Sequence, residues 1–184
     1  MSSATAELLP HPASPCNAIR GIAVAIGPDA SASGLRISFR IDGEICRLRL
    51  AETGSALRAD GLWQHSCFEA FLRADASNSY HEFNFAPSGA WAAYRFDDHR
   101  QGRESPSMPA PRIEFRRSAD ACDMSAAISL AAIPELARAT ELHAGLAAVI
   151  EDENGRLSWW ALAHRGAHPD FHEPATFALR VATR

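Results

Sequence analysis

The chain has 184 residues, 47% of them hydrophobic and 22% charged, which is enough for one domain with a sizeable core. A formal net charge of −4 supplies no basic field and argues against nucleic acid as a partner. Every basic residue is an arginine, so lysine Schiff-base and lysine general-base chemistry are excluded.

In chain order, residues 1–17 carry three prolines among serines and alanines and are expected to form a loose leader before a domain spanning 18–184. The leader lacks a cationic start followed by an apolar block, so no secretory signal is expected. No run has the apolar length of a membrane span, and no membrane partner is expected. Cys16, Cys46, Cys67 and Cys122 are scattered without a CxxC pair, which fits reduced thiols and a cytoplasmic location.

Ile19–Ile26 is the first predicted strand, closed by Gly27-Pro28-Asp29. Gly34–Ile41 alternates cleanly, with Leu35, Ile37, Phe39 and Ile41 on one face. Asp42-Gly43 signals a hairpin, from which Ile45–Leu50 is expected to return as a strand. Ser66–Arg73, Tyr80–Ala86 and Ala90–Asp97 follow, separated by Ala76-Ser77-Asn78-Ser79 and Pro87-Ser88-Gly89. These three runs mix aromatic and ionisable residues along the same strands. That composition suits a sheet with a core on one face and a recognition surface on the other.

After a proline- and serine-rich loop at 101–111, Arg112–Arg117 and Asp123–Leu130 are predicted strands, and Ala131–Arg138 a short helix or turn. Leu142–Ile150 and Leu157–Ala163 are joined by the polar turn 151–155, and Thr176–Ala182 closes the chain. About ten short strands at regular spacing predict an all-β, single-domain β-sandwich of jelly-roll or immunoglobulin-like type. Neither GxGxxG nor a phosphate-loop motif occurs, which argues against a nucleotide site.

Trp63, just before the strand Ser66–Arg73, is either a platform for a flat ligand or a plug at the end of the core. Glu69 sits among apolar residues and needs a partner, because an isolated buried charge is costly. Arg95 is the expected one, as a ligand-binding pair or as a structural ion pair. Glu82 and Asn84 share a strand face opposite His81, Phe83 and Phe85, and either extend the polar patch or face water.

His164, His168 and His172 are spaced by four, but Pro169 and Gly166 disfavour a helix that would align them. With Asp170 they form a metal site only if a loop brings them together. Otherwise they line a ligand pocket, with Phe171 as an aromatic surface. Catalysis is the weaker reading. His65 and Ser66 point to opposite faces of a regular strand, GxSxG is absent, and nothing in the sequence sets the separation of Glu69 from Glu82 or Asp170.

The blocks LWQHSCFEAFLR, YHEFNFAPSGAWAAYRF, LAAVIEDENGRLSWWALAH and HPDFHEPATFALRV resemble bacterial proteins with a DOMON-like domain, relatives of the family 9 carbohydrate-binding modules. The resemblance runs from about Ile19 to Val181 and rests on W-x5-E at Trp63 and Glu69, on Y-x-E-F-N-F-x-P-x-G from Tyr80, and on PDFH. It implies a jelly-roll sandwich with a site at or near the concave face, where two tryptophans clamp a sugar and a Glu, an Arg and amides bind its hydroxyls. Trp63 matches the first aromatic, Glu69 the Glu and Phe171 the second aromatic. Asn84 stands where the relatives have the Arg, and Arg95 is a candidate replacement from the neighbouring strand. Haem-binding relatives use Met and His, but Met108 and Met124 fall outside the matching blocks, and the acidic loops of calcium-binding relatives are missing.

The resulting expectation is a non-catalytic module for a small polar ligand, a sugar or sugar-like metabolite, with no cofactor and no metal. Trp63 and Phe171 would stack on the ligand, while Glu69, Asn84, Arg95, His168 and His172 would hydrogen-bond it. The alternatives are a metal-dependent protein built on His164, His168, Asp170 and His172, and a protein-docking module.

Overall fold

The computed structural model describes residues 3–29, 34–54, 57–75 and 77–183. Among them are eleven strands and one short helix. The strands are β1 (Ala4–Pro10), β2 (Ile19–Pro28), β3 (Gly34–Gly43), β4 (Cys67–Ala74), β5 (Tyr80–Phe85), β6 (Trp91–Phe96), β7 (Arg112–Arg117), β8 (Ala121–Ser129), β9 (Glu141–Glu151), β10 (Leu157–Ala161) and β11 (Leu179–Ala182). The helix α1 (Pro134–Arg138) lies between β8 and β9 and starts with the proline that suits a first helical turn. No described helix is long and apolar enough to cross a membrane.

The strands form one curled antiparallel sheet in the order β6-β5-β4-β9-β10-β1-β2-β3-β8-β7, with β11 also paired to β9. It folds into two layers at β1. Ala4–Leu8 pair with β2, whereas Leu9 and Pro10 pair with β10, so this one strand passes from the first layer (β1, β2, β3, β8, β7) to the second (β6, β5, β4, β9, β10). The architecture is a β-sandwich.

Period-two patterning builds the core between the layers. From β3 come Leu35, Ile37, Phe39 and Ile41, all nearly inaccessible, while Arg36, Ser38 and Arg40 alternate with them on the outer face. From the second layer come Phe68, Ala70, Phe83, Phe85, Leu146, Ala148 and Ile150. The rings of Phe39 and Phe68 meet across the layers at 5.1 Å.

Two expectations are corrected here. Within the expected loose leader 1–17, Ala4–Pro10 is instead a strand of the sheet, because β1 pairs with both β2 and β10 and buries Leu8 in the core. Ile45–Leu50 is not the return strand of a hairpin: Ile45–Arg47 is a 3-10 turn, and β3 pairs instead with β8. The chain leaves the sheet at Gly43, where a Cβ would lie 2.1 Å from the Ala18 carbonyl oxygen. Gly43 N–H donates to Asp120 O and Glu44 N–H to Ala18 O, so the backbone groups that a returning strand would use are already taken. In the expected turn before Tyr80, Ala76 lies outside the described residues.

The second layer differs from the first in being covered on both faces. All six residues of β5 are buried, as are the first six of β4. On the outer face, Phe71, Tyr80, Tyr94, Phe96, Phe171 and Phe177 form a second apolar cluster, with Trp63 and Trp159 packed at its margin. Truncation of the interlayer contact by Phe39→Ala is expected to lower the unfolding free energy by about 3–5 kcal/mol, read from the midpoint of a urea titration.

Candidate functional site

A cavity of about 440 Å³ opens on the outer face of the second layer. Its sheet-borne lining follows from register. Glu69 of β4 lies directly opposite Asn84 of β5, which lies opposite Ala92 of β6. The residues two places on, Glu82 and Tyr94, are themselves opposite one another and share that face. Val149 of β9 and Trp159 of β10 extend it across the layer. Three loop segments complete the rim: Trp63, the stretch holding Arg100 and Arg103, and Pro169 to His172.

Trp63 occupies a 3-10 turn, Leu62–Gln64, entered through Gly61 at φ 74°, a left-handed conformation that suits glycine. Its half-buried indole meets the Tyr94 ring edge-on at 6.0 Å. Tyr94 is anchored in turn by donating its hydroxyl to Asp60 Oδ1 at 2.5 Å. Burial and the Asp60 carboxylate both raise the pKa of this phenol, so it stays protonated.

The floor is acidic and buried. Glu69 is 4% exposed and Glu82 5% exposed. Glu82 Oε1 accepts a hydrogen bond from Asn84 Nδ2 at 2.7 Å. Glu69 Oε1 and Asn84 Oδ1, both buried, accept none among the described residues. Burial holds the Glu69 carboxyl well above the usual range, and repulsion from Glu82 raises it further against the pull of Arg100. Glu82 is raised too, again by burial, with Asn84, Arg100 and Arg103 opposing.

His172 joins the floor to the rim. Arg100 N–H donates to the Tyr80 hydroxyl at 3.1 Å, and that hydroxyl lies 2.7 Å from His172 Nδ1. His172 Nε2 lies on the other side of the ring, 3.6 Å from Glu82 Oε2. Burial and Arg100 lower the His172 pKa to about 4, so the ring is neutral.

Asp170 ties the two loops together. It accepts from Arg100 Nη2 at 2.8 Å, from His99 Nε2 at 2.9 Å and from the His172 backbone N–H at 3.1 Å. Its burial favours the neutral acid, but the Arg100 and His99 hydrogen bonds prevail and its pKa is lowered. Among the described residues, Arg100 is the only non-glycine residue with positive φ, at 55°. These contacts hold that conformation against its intrinsic cost.

Of the residues expected from sequence, Trp63, Glu69, Phe171 and His172 line this cavity, and Asn84 is fully buried beside Glu69. Two expectations are corrected. Arg95 does not reach Glu69: the pleat turns it to the opposite face, where it pairs with Asp97 at 2.6 Å and Glu135 at 3.3 Å. His168 is exposed and outside the lining, its place taken by Pro169.

The three imidazoles do not converge. His164 Nε2 lies 2.9 Å from Leu9 O of β1, while His172 is in the cavity. Among the described residues no group of three or more His, Cys, Asp or Glu side chains could hold a metal ion. Ser66 is bound into the backbone, its Oγ donating to Arg49 O at 2.6 Å and accepting from Glu151 N–H at 3.0 Å. Cys67 is fully buried, and burial keeps its thiol protonated.

No pattern in the sequence singles out Arg100 and Arg103, which come from a loop. For Tyr94 and Phe96 a signal exists, since period two places them on the face opposite Trp91, Ala93 and Arg95. Trp159 follows by the same rule from Trp160, which is buried in the core.

A β-sandwich with an aromatic-walled, acid-floored cavity on one sheet face is the class these features define. No protein-family model matches the chain, and no curated protein matches it by sequence. Solved structures do match in fold. A candidate carbohydrate-binding protein from Bacteroides uniformis ATCC 8492 aligns over 88% of this chain and 78% of its own at a TM-score of 0.58 and 12% identity. A family 9 carbohydrate-binding module from Caldicellulosiruptor kristjanssonii, in complex with glucose, aligns over 88% of this chain and 75% of its own at a TM-score of 0.52 and 12% identity. Its complex with cellotriose gives the same TM-score and identity over 74% of that chain. The chain therefore shares the fold of family 9 modules.

The buried acid carries a pH signature. A carboxyl whose folded pKa is raised above its ordinary 4.5 destabilises the fold at pH values above that, and the penalty disappears as pH falls to 4.5. Glu69→Gln is expected to raise the melting temperature at pH 8, by roughly 2–4 °C for each kcal/mol released. Thermal melts of both proteins should converge near pH 4.5.

Proposed function

We propose that the chain is a non-catalytic binding module whose cavity takes a sugar or sugar-like metabolite, and that it is kin to the DOMON-like group. The observation that carries this reading is the buried floor of Glu69 and Glu82, with Asn84 hydrogen-bonded to Glu82, beneath the aromatic walls of Trp63, Tyr94, Phe96, Trp159 and Phe171. Sugar rings have apolar C–H faces that stack on aromatic rings and hydroxyls that donate to carboxylates and amides. A volume of about 440 Å³ lies within the range of roughly 300–1,000 Å³ typical of small-molecule sites. Support also comes from the shared fold, since the Caldicellulosiruptor module holds glucose and cellotriose.

In this reading Trp63 is the stacking platform at the rim and Trp159 the aromatic surface on the sheet. Glu69, Glu82 and Asn84 accept the ligand's hydrogen bonds, and the Arg100–Asp170 bridge holds the rim in shape. Intrinsic tryptophan fluorescence and calorimetry against mono- and disaccharides test it. A saturable signal is expected, and Trp63→Ala should weaken binding tenfold or more while leaving the far-UV spectrum and melting cooperativity unchanged. Silence of the folded wild-type protein toward every neutral and amino sugar would reject the reading.

A further inference from the structure

We infer that the cavity selects a sugar bearing a free ammonium group, an unacetylated amino sugar, over its neutral counterpart. The inference rests on the sugar reading above and follows from the donor and acceptor balance of the floor. Among the described residues Glu69 Oε1 and Asn84 Oδ1 are buried acceptors with no partner; Glu69 and Glu82 line the cavity, and Asn84 is fully buried beside them. Glu82 Oε1 has one donor, Asn84 Nδ2 at 2.7 Å, and Glu82 Oε2 lies 3.6 Å from His172 Nε2. The cavity wall thus presents two neighbouring carboxyls with acceptor oxygens to fill, and few donors beside them.

A hydroxyl donates one proton and brings two lone pairs that need donors in return. An ammonium donates three protons and has no lone pair, so it matches a floor rich in acceptors. It also matches the charge. Two carboxyls, 4% and 5% exposed and within coulombic reach of each other, need either a shared proton or a cation. In the empty site a proton is the available answer, and a bound ammonium replaces it with a full charge and better-placed donors.

The surroundings permit a cation. Arg100 also faces the pair, but its charge is matched by Asp170 at 2.8 Å. Arg103 is the second arginine on the rim, and it lies over the Tyr94 ring at 5.0 Å. Cys67 and Tyr94 stay protonated and His172 is neutral, so Arg103 opposes two carboxyls. The walls of Trp63, Tyr94 and Trp159 offer aromatic faces that attract cations. An N-acetyl group would replace three donors by one and add a carbonyl acceptor, so acetylation should remove the advantage.

Calorimetry at pH 6.5, where an ordinary amine with a pKa of about 8 is protonated, compares glucosamine and galactosamine with glucose, galactose and N-acetylglucosamine. At least tenfold tighter binding of the amino sugars is expected, with N-acetylglucosamine no better than glucose. Glu82→Gln, nearly isosteric, should weaken amino-sugar binding by a larger factor than it weakens glucose binding and so bring the preference close to one, and Glu69→Gln serves if that variant does not fold. Glucose or N-acetylglucosamine binding as tightly as glucosamine would overturn the inference and leave the sugar reading standing. So would an amino-sugar preference that survives in both glutamine variants. Failure of every sugar with folded protein would instead defeat the sugar reading itself.

Discussion

Burying both faces of a β-sheet forces each strand to serve two environments, and the second layer of this sandwich is built around that constraint. Along β4, β5 and β6 the pleat sends Phe68, Ala70, Phe83, Phe85 and Ala93 into the core and sends Glu69, Glu82, Asn84 and Tyr94 the other way. A carboxylate on such a strand is largely cut off from bulk water. It is exposed to ligand only through the opening that the loops leave, and the cost of its burial is carried by the fold. The first layer does not face this problem, because its outer face is solvated and its arginines and aspartates pair there at the surface.

The covering loops are tied down by polar contacts. Arg100, His99 and the His172 backbone all converge on Asp170, and Tyr80 links Arg100 to His172. This network orders two loops that are separate in sequence and strains the backbone of Arg100 at φ 55°. Strain of this kind persists only where several contacts over-determine a conformation, and such positions gather at binding sites. The same network holds the His172 ring, kept neutral by burial, with Nε2 3.6 Å from Glu82.

Electrostatics in the cavity are unbalanced in a way that sets ligand chemistry. Neighbouring buried carboxyls, an amide oxygen without a partner and arginines held at the rim make a floor that accepts hydrogen bonds and a mouth that carries positive charge. A structural ion pair would have neutralised Glu69 within the protein. Its absence among the described residues leaves the carboxyl to a proton or to a ligand.

Much of the strand framework was legible from alternation alone, because a period-two pattern such as Leu35, Ile37, Phe39 and Ile41 records directly which side of a pleat is wet. The same rule separates Glu82 and Asn84 from Phe83 and Phe85, and applied to β6 it turns Arg95 away from Glu69. What alternation cannot supply is pairing across the chain. β1 reads as a leader because its hydrogen-bond partners, β2 and β10, lie up to about 150 residues away, and the Asp42-Gly43 hairpin fails because Ala18 and Asp120 already hold that backbone. Arg100 and Arg103 carry no pattern, since a loop residue's position depends on what anchors the loop. Residue types and strand faces were thus determined by the sequence through local sterics and hydrophobic period. Which acids lie next to each other, and which arginines stand over them, was decided by long-range strand register and loop closure, which exist only in the folded chain.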